Sequence, residues 1–132
     1  MIGAAYPGDF HDLMLKDELD HLLNTGARCV SEIRLEFGDV TARLDILCVS
    51  VAGQLLGVEV KTGDNPSFTP EQAFVYSHAL IGAGVTSPDS KIAGLGLSPN
   101  SPLQAFPVIV LYSQGRGQQK RYWIPSLEPS TK

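Results

Sequence analysis

The stretch from Arg43 to Gly63, RLDILCVSVAGQLLGVEVKTG, sets three ionisable side chains inside apolar sequence. Two apolar runs flank a short Ser-Val-Ala-Gly connection, the pattern of a β-hairpin. Asp45, Glu59 and Lys61 interrupt runs that otherwise read as buried strand. An unpaired buried carboxylate costs several kcal/mol, so such positions need cationic partners or a metal. Any fold of this chain has to bring partners to these three residues.

The register can be counted. If Val51-Ala52-Gly53 is a three-residue loop with Gly53 left-handed, Ser50 pairs with Gln54. Asp45 then stands opposite Glu59, and Arg43 opposite Lys61. Directly opposed Cβ atoms lie roughly 4.5–5.5 Å apart. Two carboxylates that close repel unless a cation lies between them. A divalent ion with oxygen ligands meets that need. A two-residue Ala52-Gly53 loop would instead turn Glu59 to the other face, so the expectation rests on the register. The plainer alternative is a cross-strand ion-pair cluster in which Lys61 and Arg43 neutralise the acids.

At 132 residues, the chain reads as one domain, residues 1–132, around one core. A hydrophobic fraction of 43% against 18% charged fits a globular fold rather than disorder. No apolar run has the length of a membrane span, so no membrane partner is expected. No basic segment followed by an apolar one opens the sequence, so no signal peptide is visible. The net charge of −4 does not advertise a nucleic-acid binder, although bound metal would offset part of it. Arg116, Lys120 and Arg121 could touch phosphates, and a solvated hairpin end explains them equally well. Cys29 and Cys48 lack CxxC spacing. Cys48 reads as a small buried hydrophobe, and neither a disulfide nor a zinc site is expected. His11, His21 and His78 show no metal-ligand spacing and read as helix-surface residues.

The expected order of elements starts with a helix over residues 9–24, with Asp9 as cap and Gly26 past its end. Phe10, Leu13 and Met14 form one apolar stripe of it, Leu15, Leu19 and Leu22 another, with Glu18 between them. Strands are expected over 29–37, 41–50 and 54–61, with a Gly38-Asp39 turn and apolar residues on both sheet faces. Thr69-Pro70-Glu71 opens a second helix to about Leu80, with Thr69 capping, Pro70 first and Gln72 three beyond the cap. Residues 81–107 read as irregular, with a short strand over 92–97. Strands over 108–112 and 122–124 close the series. The order suits an α/β fold, a mixed central sheet flanked by helices.

This order and these motifs resemble the PD-(D/E)XK nuclease superfamily, whose restriction-endonuclease-like core is αβββαβ. Asp45 matches the family's acidic residue on the second core strand, and Glu59-Val60-Lys61 its E-x-K on the third. Thr62-Gly63-Asp64 continues that strand in a frequent style. Gln72-Ala73-Phe74-Val75-Tyr76 resembles the Q-x3-Y motif of RecB-like branches, with Gln72 and Tyr76 one helical turn apart. The family's helical acid would be Glu18, with Asp17 the weaker candidate. The matched core spans most of residues 9–112.

The resemblance implies a metal-dependent endonuclease cleaving DNA. Asp45 and Glu59, with the Val60 carbonyl, would bind Mg²⁺ or Mn²⁺. Lys61 would hold the attacking water and neutralise developing charge. Gln72 would orient water or phosphate, Tyr76 would support the cleft, and Glu18 would hold a second metal or its water. Size and texture are also similar to C-terminal nuclease modules of bacterial polymorphic toxins and secreted effectors. That likeness implies an antibacterial toxin, delivered to a target-cell cytoplasm, with a cognate immunity protein. An RNA target, transfer RNA above all, is the nearest alternative. A repair or resolvase-type nuclease and a non-catalytic nucleic-acid- or protein-binding module also stay open. Trp123 reads as packing rather than a base-stacking platform.

Overall fold

The computed structural model describes residues 7–62, 67–113 and 121–123. Gly63, Asp64, Arg116, Lys120 and Ile124 lie outside the described residues, as do the side chains of Asp9, Arg121 and Trp123. The elements run α1 (Pro7–Asn24), β1 (Arg28–Phe37), β2 (Val40–Val49), β3 (Leu55–Thr62), α2 (Pro70–Leu80), a 3-10 helix (Ser90–Leu95), β4 (Val108–Ser113) and β5 (Arg121–Trp123). The five strands form one mixed sheet in chain order. Among the described residues, only β3 and β4 pair in parallel. The fold is therefore α/β, with helices against the sheet.

Local chemistry explains the connections. Gly53 takes φ +83°, and Ser50 N–H donates to the Gln54 carbonyl at 2.8 Å, closing the three-residue loop expected from the sequence. Gly38 takes φ +60° in the β1–β2 turn, next to the Phe37–Val40 pair. Helix α2 opens on the expected reciprocal cap. Thr69 Oγ1 accepts from Gln72 N–H at 3.1 Å, and Gln72 Oε1 accepts from Thr69 N–H at 3.0 Å. Such a cap stabilises a helix by about 1 kcal/mol.

Two apolar layers cover the sheet. On one face Ile33, Leu35, Leu44, Val75, Tyr76 and Phe106 pack together beneath α2. On the other, Met14 and Leu15 of α1 pack against Ile46, Val58, Val60 and Leu111. Gly57 has no room for a Cβ, which would stand 2.9 Å from Val108 Cγ2 and 3.2 Å from Leu44 Cδ2.

Four expectations need correction. Helix α1 starts at Pro7, so Asp9 lies inside it; proline's fixed φ suits a first helical position. Leu13 is 62% exposed, because α1 buries only the side that carries Met14 and Leu15. Residues 92–97 form no strand. Ser90–Leu95 is a 3-10 helix, ended by Gly96 at φ +80°. Its flanks instead cover the β1 edge: Glu36 bridges Thr86, and Asp89 Oδ2 accepts the Arg34 N–H at 2.6 Å. Finally, Cys29 and Cys48, cross-strand partners on β1 and β2, form a disulfide.

Candidate active site

Strands β2 and β3 pair as far as Ile46 opposite Val58. One step on, where Asp45 faces Glu59, side chains replace the ladder. The Val60 N–H donates to Asp45 Oδ2 at 2.8 Å, and the Asp45 N–H reaches Glu59 Oε1 at 3.4 Å. The two carboxylates occupy the fork where the strands part, 8% and 6% exposed respectively.

Strand β1 is irregular at the same level. Its ladder with β2 runs from Ser31–Ile46 to Ile33–Leu44 and skips the Glu32–Asp45 pair between them. Glu32 sits at φ +55°, a left-handed conformation costly for a residue with a Cβ. Lys91 Nζ holds this turn of strand through the carbonyls of Ser31 at 2.8 Å and Glu32 at 3.4 Å. The alternation of β2 changes phase here. Ala42 and Leu44 enter the α2 layer, whereas Ile46 and Cys48 enter the α1 layer. Asp45 stands at the change of phase, which frees its side chain from both apolar layers.

Glu59 is the hub. Gln72 Nε2 donates to its Oε2 at 2.8 Å, and the Tyr76 hydroxyl lies 3.2 Å from its Oε1. Lys61 Nζ lies 3.7 Å from Oε2 and donates to Gln72 Oε1 at 3.2 Å. Gln72 therefore caps its helix and ties Lys61 to Glu59 with the same amide. The Tyr76 hydroxyl also lies 2.8 Å from the Arg43 carbonyl, and burial beside Glu59 puts its ionisation far above the usual range. Burial, then the charge of Asp45, pushes the Glu59 carboxyl up to about 7, with Lys61, Gln72 and Tyr76 pulling the other way.

The cation beside Asp45 is His11 rather than Arg43. His11 Nε2 lies 3.3 Å from Asp45 Oδ2 and Nδ1 3.5 Å from Asp12. Its hydrogen bond to Asp45, opposed by burial and aided by the charges of Asp45 and Asp12, raises it to about 9. His11 is thus not the free helix-surface residue expected from its sequence. The available signal was its position seven residues before Glu18, which puts both on one face of α1. Glu18 is 2% exposed, two helical turns from His11, or about 10 Å. Its carboxyl accepts a hydrogen bond from Tyr122. Burial raises its pKa, and His21 opposes the rise. The structure thus gathers Asp45, Glu59, Lys61, Gln72 and Tyr76, sets Glu18 apart with Tyr122, and leaves Asp17 exposed on the outer side of α1.

Asp45 and Glu59 are the residues here that could hold a hard divalent cation, which takes oxygen ligands. Both offer carboxylate oxygens, and among the described residues His11 and the Val60 N–H both meet Asp45 at its Oδ2. Among those residues no three His, Cys, Asp or Glu side chains gather as a metal cage. Mg²⁺ commonly takes only one or two carboxylates and fills its other positions with water and phosphate.

These shifts have a sign that can be measured without metal. The Glu59 pKa lies above its ordinary 4.5, so the folded state binds the extra proton between pH 4.5 and 7. Stability falls over that window as pH rises. Glu59→Gln mimics the neutral acid. With EDTA present, its melting temperature should match wild type near pH 5 and exceed it at pH 8. A pH-independent difference would refute the desolvated carboxyl. His11 adds a loss in the same direction: its stabilising charge is fully present below 6.5 and disappears as pH rises through 9.

No helix of the described residues is long and apolar enough to cross a membrane. In comparisons with known proteins, no family model matches the chain and no curated protein shows significant similarity to it.

Proposed function

We propose that this chain is a metal-dependent nuclease of the PD-(D/E)XK type, cleaving DNA as an antibacterial toxin. One observation carries the reading: Glu59 is held by Lys61, Gln72 and Tyr76 in the fork where it meets Asp45. An ion-pair cluster with no further role needs neither the break in both ladders nor the strained Glu32. Asp45, Glu59 and the Val60 carbonyl would hold Mg²⁺ or Mn²⁺. Bound there, the ion would polarise the scissile phosphate and acidify an attacking water.

The side chains supply the rest. Lys61, fixed by Gln72 Oε1, presents its ammonium beside Glu59. From there it donates to water or to a phosphate oxygen and offsets charge that develops in the transition state. Gln72 holds the Glu59 carboxylate and Lys61 at a fixed spacing through the two ends of its amide. Tyr76 anchors Glu59 to the β2 backbone through Arg43. His11 balances the Asp45 charge from α1.

The toxin assignment draws support from the disulfide, since such bonds form in oxidising compartments rather than the cytosol. A chain that crosses such a compartment and acts in a recipient cytoplasm meets that condition. A cognate immunity protein would protect the producing cell.

Purified protein with supercoiled plasmid and Mg²⁺ should nick and linearise it, and EDTA should stop the reaction. Intact plasmid but shortened transfer RNA would move the substrate to RNA. No cleavage of either would overturn the hydrolase reading. Induced expression in bacteria should reduce viable counts and fragment the chromosome, and Asp45→Ala should do neither. Normal growth with soluble wild-type protein in which the Cys29–Cys48 bond has formed would overturn the toxin assignment.

Gln72→Ala should lower turnover by about 10²-fold, the scale for groups that orient metal ligands. Tyr76→Phe should reduce turnover less but lower stability by about 1–3 kcal/mol, because it leaves the Arg43 carbonyl and Glu59 short of a donor. Steady-state kinetics with urea melts separates the two. A wild-type rate for Gln72→Ala would make the Q-x3-Y match a coincidence.

A further inference from the structure

We infer that the cleft lined by Glu32, Arg34, Thr41, Arg43 and Asp89 is a second DNA-backbone site, holding a phosphate beside the scissile one. This rests on the nuclease reading of Asp45 and Glu59. The cleft has a volume of about 310 Å³ and lies on the sheet face away from α2. Ile33, Leu35, Ala42 and Leu44 turn into the α2 layer, so Arg34, Thr41 and Arg43 between them turn outward and are exposed.

Its walls place two cations together. Arg34 and Arg43 are direct cross-strand partners. Like charges so opposed destabilise a sheet unless something negative lies near them. Arg34 Nε reaches Glu36 at 3.4 Å. Among the described residues, no carboxylate lies within ion-pair distance of the Arg43 guanidinium. Asp89 turns one carboxylate oxygen to the Arg34 backbone N–H, at 2.6 Å. A phosphate between the guanidinium forks would relieve the repulsion with bidentate, charge-assisted bonds. Glu32 and Asp89 offset the local charge, so the cleft favours close contact over long-range attraction.

The cleft is joined to the candidate active site. Arg43 lies two residues before Asp45, a strand distance of about 6.6 Å. Phosphates of one DNA strand advance about 3.4 Å along the helix axis per nucleotide. A strand whose scissile phosphate meets Asp45 and Glu59 therefore brings a phosphate one or two nucleotides away over Arg43. The Arg43 carbonyl and Glu59 share the Tyr76 hydroxyl, which fixes the two sites relative to each other.

The test is anisotropy of a fluorescein-labelled DNA duplex against salt, in EDTA, followed by Mg²⁺-dependent plasmid cleavage. Arg43→Gln and Arg34→Gln are compared with Lys16→Gln, which removes the same charge from exposed α1. We expect Arg43→Gln to weaken binding about 10-fold and reduce the log–log salt slope by about 1. KM should rise with kcat kept, and Arg43→Lys should fall between, because lysine keeps the charge but loses the fork. Circular dichroism checks the fold of each variant. If wild type cuts DNA and Arg43→Gln binds it no worse than Lys16→Gln, the subsite is overturned and the nuclease reading stands. If wild type cuts nothing yet binds DNA through Arg43, the backbone contact at Arg43 stands, but the nuclease reading falls and with it the place of that contact beside a scissile phosphate. Arg43-dependent binding of RNA but not DNA overturns the DNA assignment.

Discussion

Replacing Glu59 or Lys61 with alanine is expected to lower plasmid cleavage by at least about 10³-fold, the scale for losing a group that stabilises transition-state charge. The fold should survive both changes. Glu59 is a charge that burial opposes, so alanine removes an unfavourable ionisation along with its hydrogen bonds. Its partners keep others: the Tyr76 hydroxyl retains the Arg43 carbonyl, and Gln72 retains Thr69 through its amide oxygen. Lys61→Ala likewise leaves Gln72 on its cap. Loss of cleavage with an unchanged circular dichroism spectrum is therefore the expected pair of results. Wild-type cleavage by either variant, with the same spectrum, would remove these residues from the chemistry. Loss of the fold would show that the cluster's main contribution is to stability.

Much of this arrangement was legible because it follows from counting. A left-handed Gly53 in a three-residue loop sets the β2–β3 register, which brings Asp45 to Glu59. Thr69, Pro70 and Gln72 announce the start of α2 through capping chemistry. Other features depend on tertiary contacts that no local pattern records. The left-handed Glu32 is supported by Lys91, some 59 residues away. The phase change at Asp45 is hidden in β2, because an apolar run buried on both faces carries no alternation to interrupt. His11 has no motif around it, and only the packing of α1 against the sheet brings it to Asp45. Glu18 meets Tyr122 across 104 positions of sequence. The disulfide differs from these. The Gly38-Asp39 turn pairs Phe37 with Val40, and eight steps back along each strand pair Cys29 with Cys48. The skipped pair at Glu32 and Asp45 falls on both strands alike, so the count survives it. Two cysteines on one hairpin need no metal-site or redox spacing to pair, because the strand register alone brings them together.

Reduction of Cys29–Cys48 is expected to destabilise the domain by about 3 kcal/mol, the chain-entropy value for a loop near the 19-residue separation here. For a chain of this size, that corresponds to a fall in melting temperature of roughly 10 °C. The bond links β1 to β2 near the α1 layer, where Cys48 is 2% exposed against Met14 and Leu15. Burial shields it from thiols, so reduction of the native protein should be slow and should accelerate in urea. Its loss would also loosen α1, which carries His11 to Asp45. Plasmid cleavage at 37 °C should therefore fall along with stability, while assays well below the melting point retain more activity. The comparison is oxidised protein, protein reduced in urea and refolded in reductant, and the Cys29→Ala/Cys48→Ala variant, with mass spectrometry counting free thiols. Equal melting temperatures for oxidised and reduced protein would show that the bond adds nothing to stability. Two free thiols in protein refolded under air would show that it does not form, and would withdraw the support it lends to passage through an oxidising compartment.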